Sequence, residues 1–265
     1  MAFEFNAQQY ITASDHQLLW GQQLVNELKL QGHESILDLG CGDGRLTALL
    51  ALQVPQGSVV GIDASQQMTA AARQRHRHIR NLSFRTLNIN HLCSENEFDV
   101  IFSNAALHWV PNHDQLMQRV RRALKPGARI RFNFAGSGNC VHLIDTLQQT
   151  LATPEFAPLF DRFTWPWTMP TVEETDHVVR SAGFRDVRVW NRCEETRFPD
   201  AQPLIGWIDH PCLVPFISVL KNLDQQRRFR QRVVQQMIDR TRQPNGSYLE
   251  TFQRINVKAH KGVPA

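Results

Sequence analysis

The sequence predicts an α/β protein built on a doubly wound, mostly parallel sheet of seven strands, with a helical lid inserted. Two observations lead to this fold class. Short apolar runs rich in Val, Ile, Leu and Phe alternate with stretches at helical spacing, and Gly or Pro punctuates many of the junctions. Such alternation is typical of βαβ units, which place helices on both faces of a parallel sheet. The chain has 265 residues, 42% of them hydrophobic and 20% charged, which suffices to bury a core of this size.

In the first half of the chain, predicted strands alternate with predicted helices, except that no helix is predicted between the third and fourth strands. The predicted strands are Ser35–Leu39, Ser58–Ile62, Leu82–Leu87, Phe98–Ser103 and Ala128–Phe134. The predicted helices are Leu18–Leu28 after an N-cap at Ser14, Leu46–Gln53, Ser65 to about Arg77, and Asp114–Leu124. Ser65 is a favourable N-cap residue because its hydroxyl can accept a hydrogen bond from a free backbone N–H. Lys125-Pro126-Gly127 predicts a turn.

The second half of the chain breaks this rhythm. Residues 135–170 are rich in Gly, Pro and aromatic residues, which predicts a lid over the site. Thr171 and Glu174 form a predicted capping box, whose helix ends at Gly183. The last two strands are predicted at Phe184–Phe198 and Tyr248–His260, with the helical stretch 203–242 between them, broken at its prolines.

Composition narrows the classes of function. The net charge of +4 comes largely from arginine-rich stretches at residues 73–85 and 221–242. They indicate either contact with nucleic acid or two solvated helix faces, and the second is favoured because only Phe84 and Phe229 offer rings for base stacking. Five cysteines without a CxxC pair predict no disulfide framework and no metal site. With no apolar run of eighteen residues and no secretory-signal pattern, we expect a cytoplasmic protein.

The strongest motif is the segment 38–44, Asp-Leu-Gly-Cys-Gly-Asp-Gly, between a predicted strand and a predicted helix. Glycines at alternate positions allow a sharp turn and a close approach of a ligand to the backbone. Asp63 ends the next strand, nineteen residues after Gly44, where a carboxylate can accept hydrogen bonds from both hydroxyls of a ribose. Together the two strand ends predict a nucleoside site at the carboxyl edge of the sheet.

The charge of the predicted site indicates which nucleoside it binds. A dinucleotide site needs a third glycine one position later, where this chain has Arg45, and it presents a helix N-terminus to a pyrophosphate. Asp38 would repel that pyrophosphate, whereas it would attract the ammonium and sulfonium of S-adenosylmethionine. The methyl donor is therefore favoured over NAD.

At these residues the chain resembles the class I S-adenosylmethionine-dependent methyltransferases. The likeness covers residues 34–134 and is carried by segments 36–44, 60–65, 98–104 and 124–127. More narrowly, segment 104–113, Asn-Ala-Ala-Leu-His-Trp-Val-Pro-Asn-His, is similar to the trans-aconitate methyltransferase group, as are the start at Gln8-Gln9-Tyr10 and the long insertion after the fifth strand.

The resemblance implies a set of donor-binding residues. They are Asp38, Gly40, Cys41, Gly42, Gly44, Asp63, Ala64, Met68, Asn88, Ile89, Ser103 and Asn104. Asp38 and Gly40 would line the methionine part and Asp63 would hold the ribose. Met68 would pack on the adenine or fill the core of its own helix. Asn88 stands where the family usually has an acidic residue, and its amide oxygen can still accept from the adenine amino group.

The sequence signals for the residues that bind the methyl acceptor are less specific. His108, after the fourth strand, is the candidate catalytic base or positioning residue, with local packing beside Trp109 as the alternative. The predicted substrate-binding residues are Tyr10, His108, Trp109, Trp167 and Trp207. Arg162, Arg197 and His210 would meet an anionic acceptor or simply face solvent.

The sequence therefore predicts an S-adenosylmethionine-dependent methyltransferase of a small molecule, with S-adenosylhomocysteine as product and a carboxylate, giving a methyl ester, as one acceptor. We expect a monomer or homodimer without a metal or membrane partner. The predicted division is 1–134, a cap helix and donor-binding core; 135–183, the lid; and 184–265, the last two strands with insertion 203–242. A nucleic-acid or protein methyltransferase, a non-catalytic donor-binding protein and a dehydrogenase stay open as alternatives.

Overall fold

The computed structural model describes residues 3–5 and 15–263. Within them, seven strands form one sheet, and the predicted fold class is confirmed. The strands are β1 Ser35–Leu39, β2 Ser58–Asp63, β3 Leu82–Thr86, β4 Phe98–Asn104, β5 Leu124–Ala135, β6 Phe184–Phe198 and β7 Tyr248–Lys261. The helices are α1 Asp15–Glu27, α2 Arg45–Gln53, α3 Gln66–Arg75, α4 His113–Ala123, α5 Val141–Leu151, α6 Val172–Ser181, α7 Ala201–Trp207, α8 Val214–Ile217 and α9 Leu223–Thr241.

The strand order is β3-β2-β1-β4-β5-β7-β6. Strands β1 to β5 pair in parallel, whereas β7 runs antiparallel to both of its neighbours. The order reverses between β1 and β4, because the chain first builds outward through β2 and β3 and then returns to the other side of β1. Ligands of doubly wound sheets bind at such a switch point, outside the carboxyl ends of the strands.

Capping side chains fix several helix starts. Ser65 Oγ accepts from Met68 N at 3.2 Å, and Thr171 forms the predicted capping box with Glu174. Asn112 caps α4, so this helix begins one residue earlier than predicted. The predicted cap at Ser14 lies outside the described residues.

One predicted turn is wrong. Residues 125–127 lie inside β5, where the pairing with β4 jumps from Phe98↔Leu124 to Val100↔Arg129. The extra residues form a bulge at the start of the strand, and Gly127 adopts a φ of +76° there. Pro and Gly mark bulges as well as turns, which explains the misassignment.

The two largest apolar clusters among the described residues lie on and beside this sheet. The larger contains the inner residues of the sheet and the helices packed on it, including Leu37, Ile101 and Phe132, all buried. The second contains α5, α7, α8, α9 and the tip of β7, with Phe216 and Phe229 at its centre. It forms a helical cover at the carboxyl edge of the sheet, and the predicted division at residues 134 and 183 stays a prediction.

None of the helices in the described part of the chain is long and apolar enough to cross a membrane.

Candidate active site

The loop after β1 needs glycine at its first position. The N–H groups of Gly40 and Cys41 both donate to the Ile62 carbonyl, at 2.8 and 3.0 Å, which draws the loop against the end of β2. Gly40 has a φ of +72°, and a Cβ there would lie 2.2 Å from Ala106 Cβ. A side chain would therefore meet both an unfavourable backbone conformation and a clash.

Gly42 is in the same loop but faces open space. Its φ is +53°, and no heavy atom lies within 4 Å of the position that a Cβ would occupy. Its N–H donates to Asp63 Oδ2 at 2.9 Å, while Ser65 N donates to Asp63 Oδ1 at 2.9 Å. Burial raises the pKa of the Asp63 carboxyl although these hydrogen bonds oppose the shift. Asp63 is thus held by the backbone beside the bare main chain of Gly42.

Asp38 lies at the end of β1 and is 2% exposed. Thr47 Oγ1 donates to its Oδ2 at 2.7 Å. Burial, with a smaller contribution from the charge of Asp63, raises the pKa of Asp38 to about 7. A buried carboxyl in this state is stabilised as the anion by a cation brought next to it.

Residues 3–5 lie over the same edge of the sheet. The Glu4 carboxylate accepts from Ser65 Oγ at 2.8 Å and from the N–H groups of Gln66 and Gln67 at 3.1 and 3.2 Å. Burial alone would raise the pKa of Glu4, but these hydrogen bonds lower it. Phe3 and Phe5 both contact the Trp109 ring, with centroids 5.8 Å apart in each pair. The segment therefore closes one side of the site, which sequence patterns did not indicate.

Two adjoining cavities contain most of the predicted donor residues. The larger, about 200 Å³ in volume, is lined at one end by Gly40, Gly42, Asp63, Ala64, Met68, Asn88, Ile89 and Asn104. The smaller is lined by Asp38, Gly40, Cys41, Gly42 and Asn104, among others. These residues are therefore brought together as expected.

Two predicted donor residues do not line either cavity. A Cβ on Gly44 would lie 2.6 Å from Phe84 Cζ, so this glycine allows the loop to pack against β3. The Ser103 hydroxyl is buried and donates to the Leu39 carbonyl at 2.8 Å, which ties β4 to β1. Both residues support the site from behind.

Three other predicted residues have packing or local roles visible in the structure. Met68 is 2% exposed and lines the cavity, so it serves both its helix and the pocket. Asn88 Oδ1 accepts from Asn90 N at 2.9 Å, so a local backbone group uses its oxygen. Cys41 packs with Ala72 and Phe84, and burial raises the pKa of its thiol well above the usual value.

The other end of the larger cavity is mostly apolar. Trp109, Trp167 and Trp207 line it as predicted, while Tyr10 lies outside the described residues. The Trp109 and Trp167 rings lie 5.7 Å apart at an interplanar angle of 67°. Trp207 closes α7, and a π-helical turn at Ile208–Cys212 follows it. Such turns are frequent at functional sites.

His108 lies in a short 3₁₀ turn between these two ends. Its Nδ1 is buried and has no hydrogen-bond partner among the described residues. Burial, together with the charges of Arg254 and His113, lowers the pKa of His108 to about 3. The imidazole is therefore neutral at physiological pH and a weak base.

Arg254 is the cation among the described residues that line the cavity, and sequence reasoning missed it. It is 3% exposed, its Nε donates to Asn133 Oδ1 at 2.9 Å, and its guanidinium carbon lies 4.9 Å from the centroid of the Trp20 ring. The period-2 alternation of β7 could have indicated it, because Phe252 and Arg254 share one face of the strand. The three cations proposed from sequence, Arg162, Arg197 and His210, do not line the cavity.

Further lining residues come from the cover: Asn139, Cys140, Leu143, Ile144, Met169, Pro211 and Cys212. The side-chain oxygens of Asn104 and Asn139 are buried without a hydrogen-bond partner among the described residues. Buried polar atoms are usually satisfied, and two unsatisfied oxygens in one cavity indicate that a ligand supplies the missing donors. A cationic nucleoside with an amino group and hydroxyls fits this set of oxygens, carboxylates and bare backbone.

Some arginines of the two arginine-rich stretches pair with acidic groups of the same chain. Arg75 contacts Asp43 at 2.9 Å, Arg228 contacts Glu155 at 2.7 Å, and Arg230 forms two 2.7 Å hydrogen bonds with Asp209. Part of their positive charge is therefore balanced locally, and the interpretation as solvated helix faces stays a prediction.

A methyltransferase-domain family matches residues 30–155 of the chain. Trans-aconitate 2-methyltransferase of Deinococcus radiodurans is 30% identical over 84% of this chain and 86% of its own length. The protein of the same name from Rhodopseudomonas palustris is 27% identical over 97% of this chain and 99% of its own length.

Solved structures agree in fold. The YcgJ protein of Bacillus subtilis superposes with a TM-score of 0.63 at 14% identity, covering 92% of this chain and 98% of that one. Phosphoethanolamine N-methyltransferase 2 of Haemonchus contortus, solved with S-adenosyl-L-methionine, gives a TM-score of 0.57 at 18% identity, covering 92% and 52% of the two chains.

The cavity at the switch point, its two carboxylates and these similarities lead to one conclusion. The chain belongs to the class I S-adenosylmethionine-dependent methyltransferases. It is an enzyme that uses S-adenosylmethionine as its methyl donor. The resemblance drawn from the sequence is confirmed, including its narrower part, since relatives at 26–30% identity share the name trans-aconitate 2-methyltransferase.

Proposed function

We propose that this enzyme methylates a carboxylate of a small molecule and releases a methyl ester. The observation that carries the proposal is the chemistry of the acceptor end. Its histidine is neutral and a weak base, and its charged side chain is Arg254. A phenol or an ammonium must lose a proton before it can attack, whereas a carboxylate is already ionised at neutral pH.

On the donor side, we propose that Asp38 faces the positive charge of the donor and that Asp63 accepts from its ribose hydroxyls. Gly40 and Gly42 give the donor access to the main chain, and Ala64, Met68 and Ile89 pack on the adenine. Asn104 supplies its unsatisfied oxygen between the two ends of the cavity. These roles agree with the burial of the two carboxylates, with the backbone hydrogen bonds to Asp63 and with the Thr47 hydroxyl that donates to Asp38.

When bound, the donor supplies a methyl group on a sulfonium: a carboxylate oxygen forms the new O–C bond, the C–S bond breaks, and its electron pair returns to sulfur. No proton is transferred, so the chain has only to align the acid and keep water out. Arg254 holds the carboxylate by charge-assisted hydrogen bonds, and His108 orients it without taking a proton. Alignment of this kind accounts for roughly 7–11 kcal/mol of a barrier.

The relatives support the proposal in a second way. The name trans-aconitate 2-methyltransferase describes enzymes that act on a carboxylic acid, and these relatives match nearly the whole chain. A nucleic-acid acceptor has less support, since arginines of both basic stretches pair with the chain's own carboxylates. A monomeric or homodimeric state and a cytoplasmic location stay predictions.

The test is the stability of the transferred label toward base. We would incubate the protein with donor labelled in its methyl group and a panel of acids, phenols and amines, then treat the products with mild alkali. A methyl ester releases labelled methanol, whereas methyl ethers and methylamines keep the label. The proposal fails if the label enters only base-stable products, or if none of the acids becomes labelled.

A further inference from the structure

We infer that the acceptor is a monocarboxylic acid with an apolar body, held by Arg254 and enclosed by the aromatic cover, and not a polycarboxylic acid like the one in the relatives' names. This inference rests on the proposed function and narrows its substrate class.

The first argument is the composition of the wall. Beyond His108, most of the lining residues are rings and aliphatic side chains, such as Trp109, Leu143, Ile144, Trp167, Met169 and Trp207, with Asn139 as a polar residue among them. Trp207 and Phe252 are almost fully buried, with ring centroids 5.4 Å apart, so this part of the wall is packed before a ligand arrives. Rigid apolar walls favour a ligand that brings apolar surface to bury against them.

The second argument is the charge balance. Of the described residues that line the larger cavity, Arg254 carries the positive charge at the acceptor end, and Asp63 carries the negative charge at the donor end. Residues 6–16, whose side chains the structure does not describe, contain neither Lys nor Arg. A tricarboxylate would bring three negative charges to the Arg254 guanidinium, and each unpaired carboxylate buried against Trp and Leu would lose its hydration without a compensating partner. A single carboxylate matches the charge.

The third argument is the way in which Arg254 is held. Asn133 Oδ1 accepts from both Nε and Nη2 of the guanidinium, and the Trp20 ring lies under its carbon. The side chain is thus fixed at the base of the pocket, on the strand next to β5. A planar, fixed guanidinium binds one carboxylate in a defined orientation, which is what in-line transfer needs.

Affinity measured without turnover tests the inference first. Tryptophan fluorescence or calorimetry would follow binding of trans-cinnamate, octanoate and trans-aconitate to the wild-type protein saturated with S-adenosylhomocysteine. We expect cinnamate or octanoate to bind at least about tenfold more tightly than trans-aconitate, and the neutral amide of the better acid to bind about tenfold more weakly than that acid. Equal or tighter binding of trans-aconitate would overturn the inference.

A matched pair of variants tests the wall. Trp165 and Trp167 are both half-buried, contact each other and both contact Phe216, but only Trp167 lines the cavity. Trp167→Leu should lower the affinity for the apolar acid about tenfold, while Trp165→Leu should leave it within about twofold. Equal effects in the two variants would contradict an apolar acid seated against Trp167.

A second pair tests the cation. Arg254→Gln should lose at least about tenfold in affinity for the acid, and Arg254→Lys should recover part of it, with S-adenosylhomocysteine affinity as the control for folding. Ile144→Lys, at a half-buried position of the wall, should shift the preference toward dicarboxylates such as succinate. Unchanged acid binding in Arg254→Gln would remove Arg254 from the site and overturn the inference.

The outcomes separate the two levels of the argument. Base-labile ester formed mainly from trans-aconitate would refute the apolar monoacid and leave carboxylate methylation standing. Tight binding of the apolar acids without any ester would refute the proposed function instead.

Discussion

The affinity for the donor should rise with pH, because the buried Asp38 must lose a proton to meet a cation. Burial raises the pKa of this carboxyl to about 7 in the ligand-free protein. A positively charged ligand beside it favours the anion, so binding releases the proton. At pH 6 about nine in ten molecules hold that proton, and the apparent affinity should be about tenfold lower than at high pH, or about 1.4 kcal/mol.

Calorimetry with S-adenosylmethionine at pH 6, 7 and 8, in buffers with different heats of ionisation, measures both the affinity and the protons released. Asp38→Asn keeps the shape and the Thr47 hydrogen bond but cannot titrate, so its affinity should be low and independent of pH. Asp63→Asn is the control. It should bind weakly yet keep a pH dependence, with its midpoint at lower pH because the Asp63 charge helps to raise the pKa of Asp38.

The raised pKa of Asp38 also makes the stability of the ligand-free protein depend on pH. The folded-state pKa of Asp38 lies above the ordinary value of 3.8, so the folded protein loses stability as the pH rises from about 4 through 7. Donor binding should offset that loss. Equal donor affinity at pH 6 and pH 8, with no proton released, would refute the reasoning that Asp38 meets the donor's charge.

Three further predictions concern single residues. His108 has its pKa lowered to about 3, so the turnover rate at saturating donor should show no inflection near pH 6.5. As the pH falls below 6.5, this buried neutral histidine should lower the stability of the folded state by about 1.4 kcal/mol per pH unit. In acid denaturation curves, His108→Gln should abolish this loss of stability. Gly40→Ala should destabilise the folded state by roughly 2–5 kcal/mol, because of its backbone conformation and its clash with Ala106. Gly42→Ala has open space around the new methyl group and should cost only about 1–2 kcal/mol. Equal melting temperatures of the two variants would contradict these geometries. Glu4→Ala removes three hydrogen bonds at the start of α3 and should weaken S-adenosylhomocysteine binding several-fold, by about 1 kcal/mol. Glu4→Gln keeps a hydrogen-bond acceptor and should retain part of the lost affinity.

The donor half of the site was predictable because local rules determine it. A glycine turn after a buried strand and a carboxylate after the next strand can each be read within a few residues, and parallel strands bring their carboxyl ends to one edge. Asp38 and Asp63 therefore came together as the sequence indicated. Gly44 and Ser103 lie in the same segments, but local patterns do not show which way a side chain faces.

The acceptor half depends on contacts between distant segments, and sequence patterns do not specify those. Arg254 is fixed by Asn133, 121 residues earlier, and the segment 3–5 reaches the N-terminus of α3 across about sixty residues. Trp109, Trp167 and Trp207 were predicted as large aromatics near the edge, which composition favours. The neutrality of His108 was not predictable, because it follows from burial and the charge of Arg254.

The most direct test is a crystal structure of the protein with S-adenosylhomocysteine and the apolar acid that binds best. The account predicts density for the nucleoside along residues 40–42 with its ribose on Asp63, and for the acid with its carboxylate on the Arg254 guanidinium and its body against Trp167 and Trp207. An acid bound elsewhere, or one whose carboxylate avoids Arg254, would contradict it.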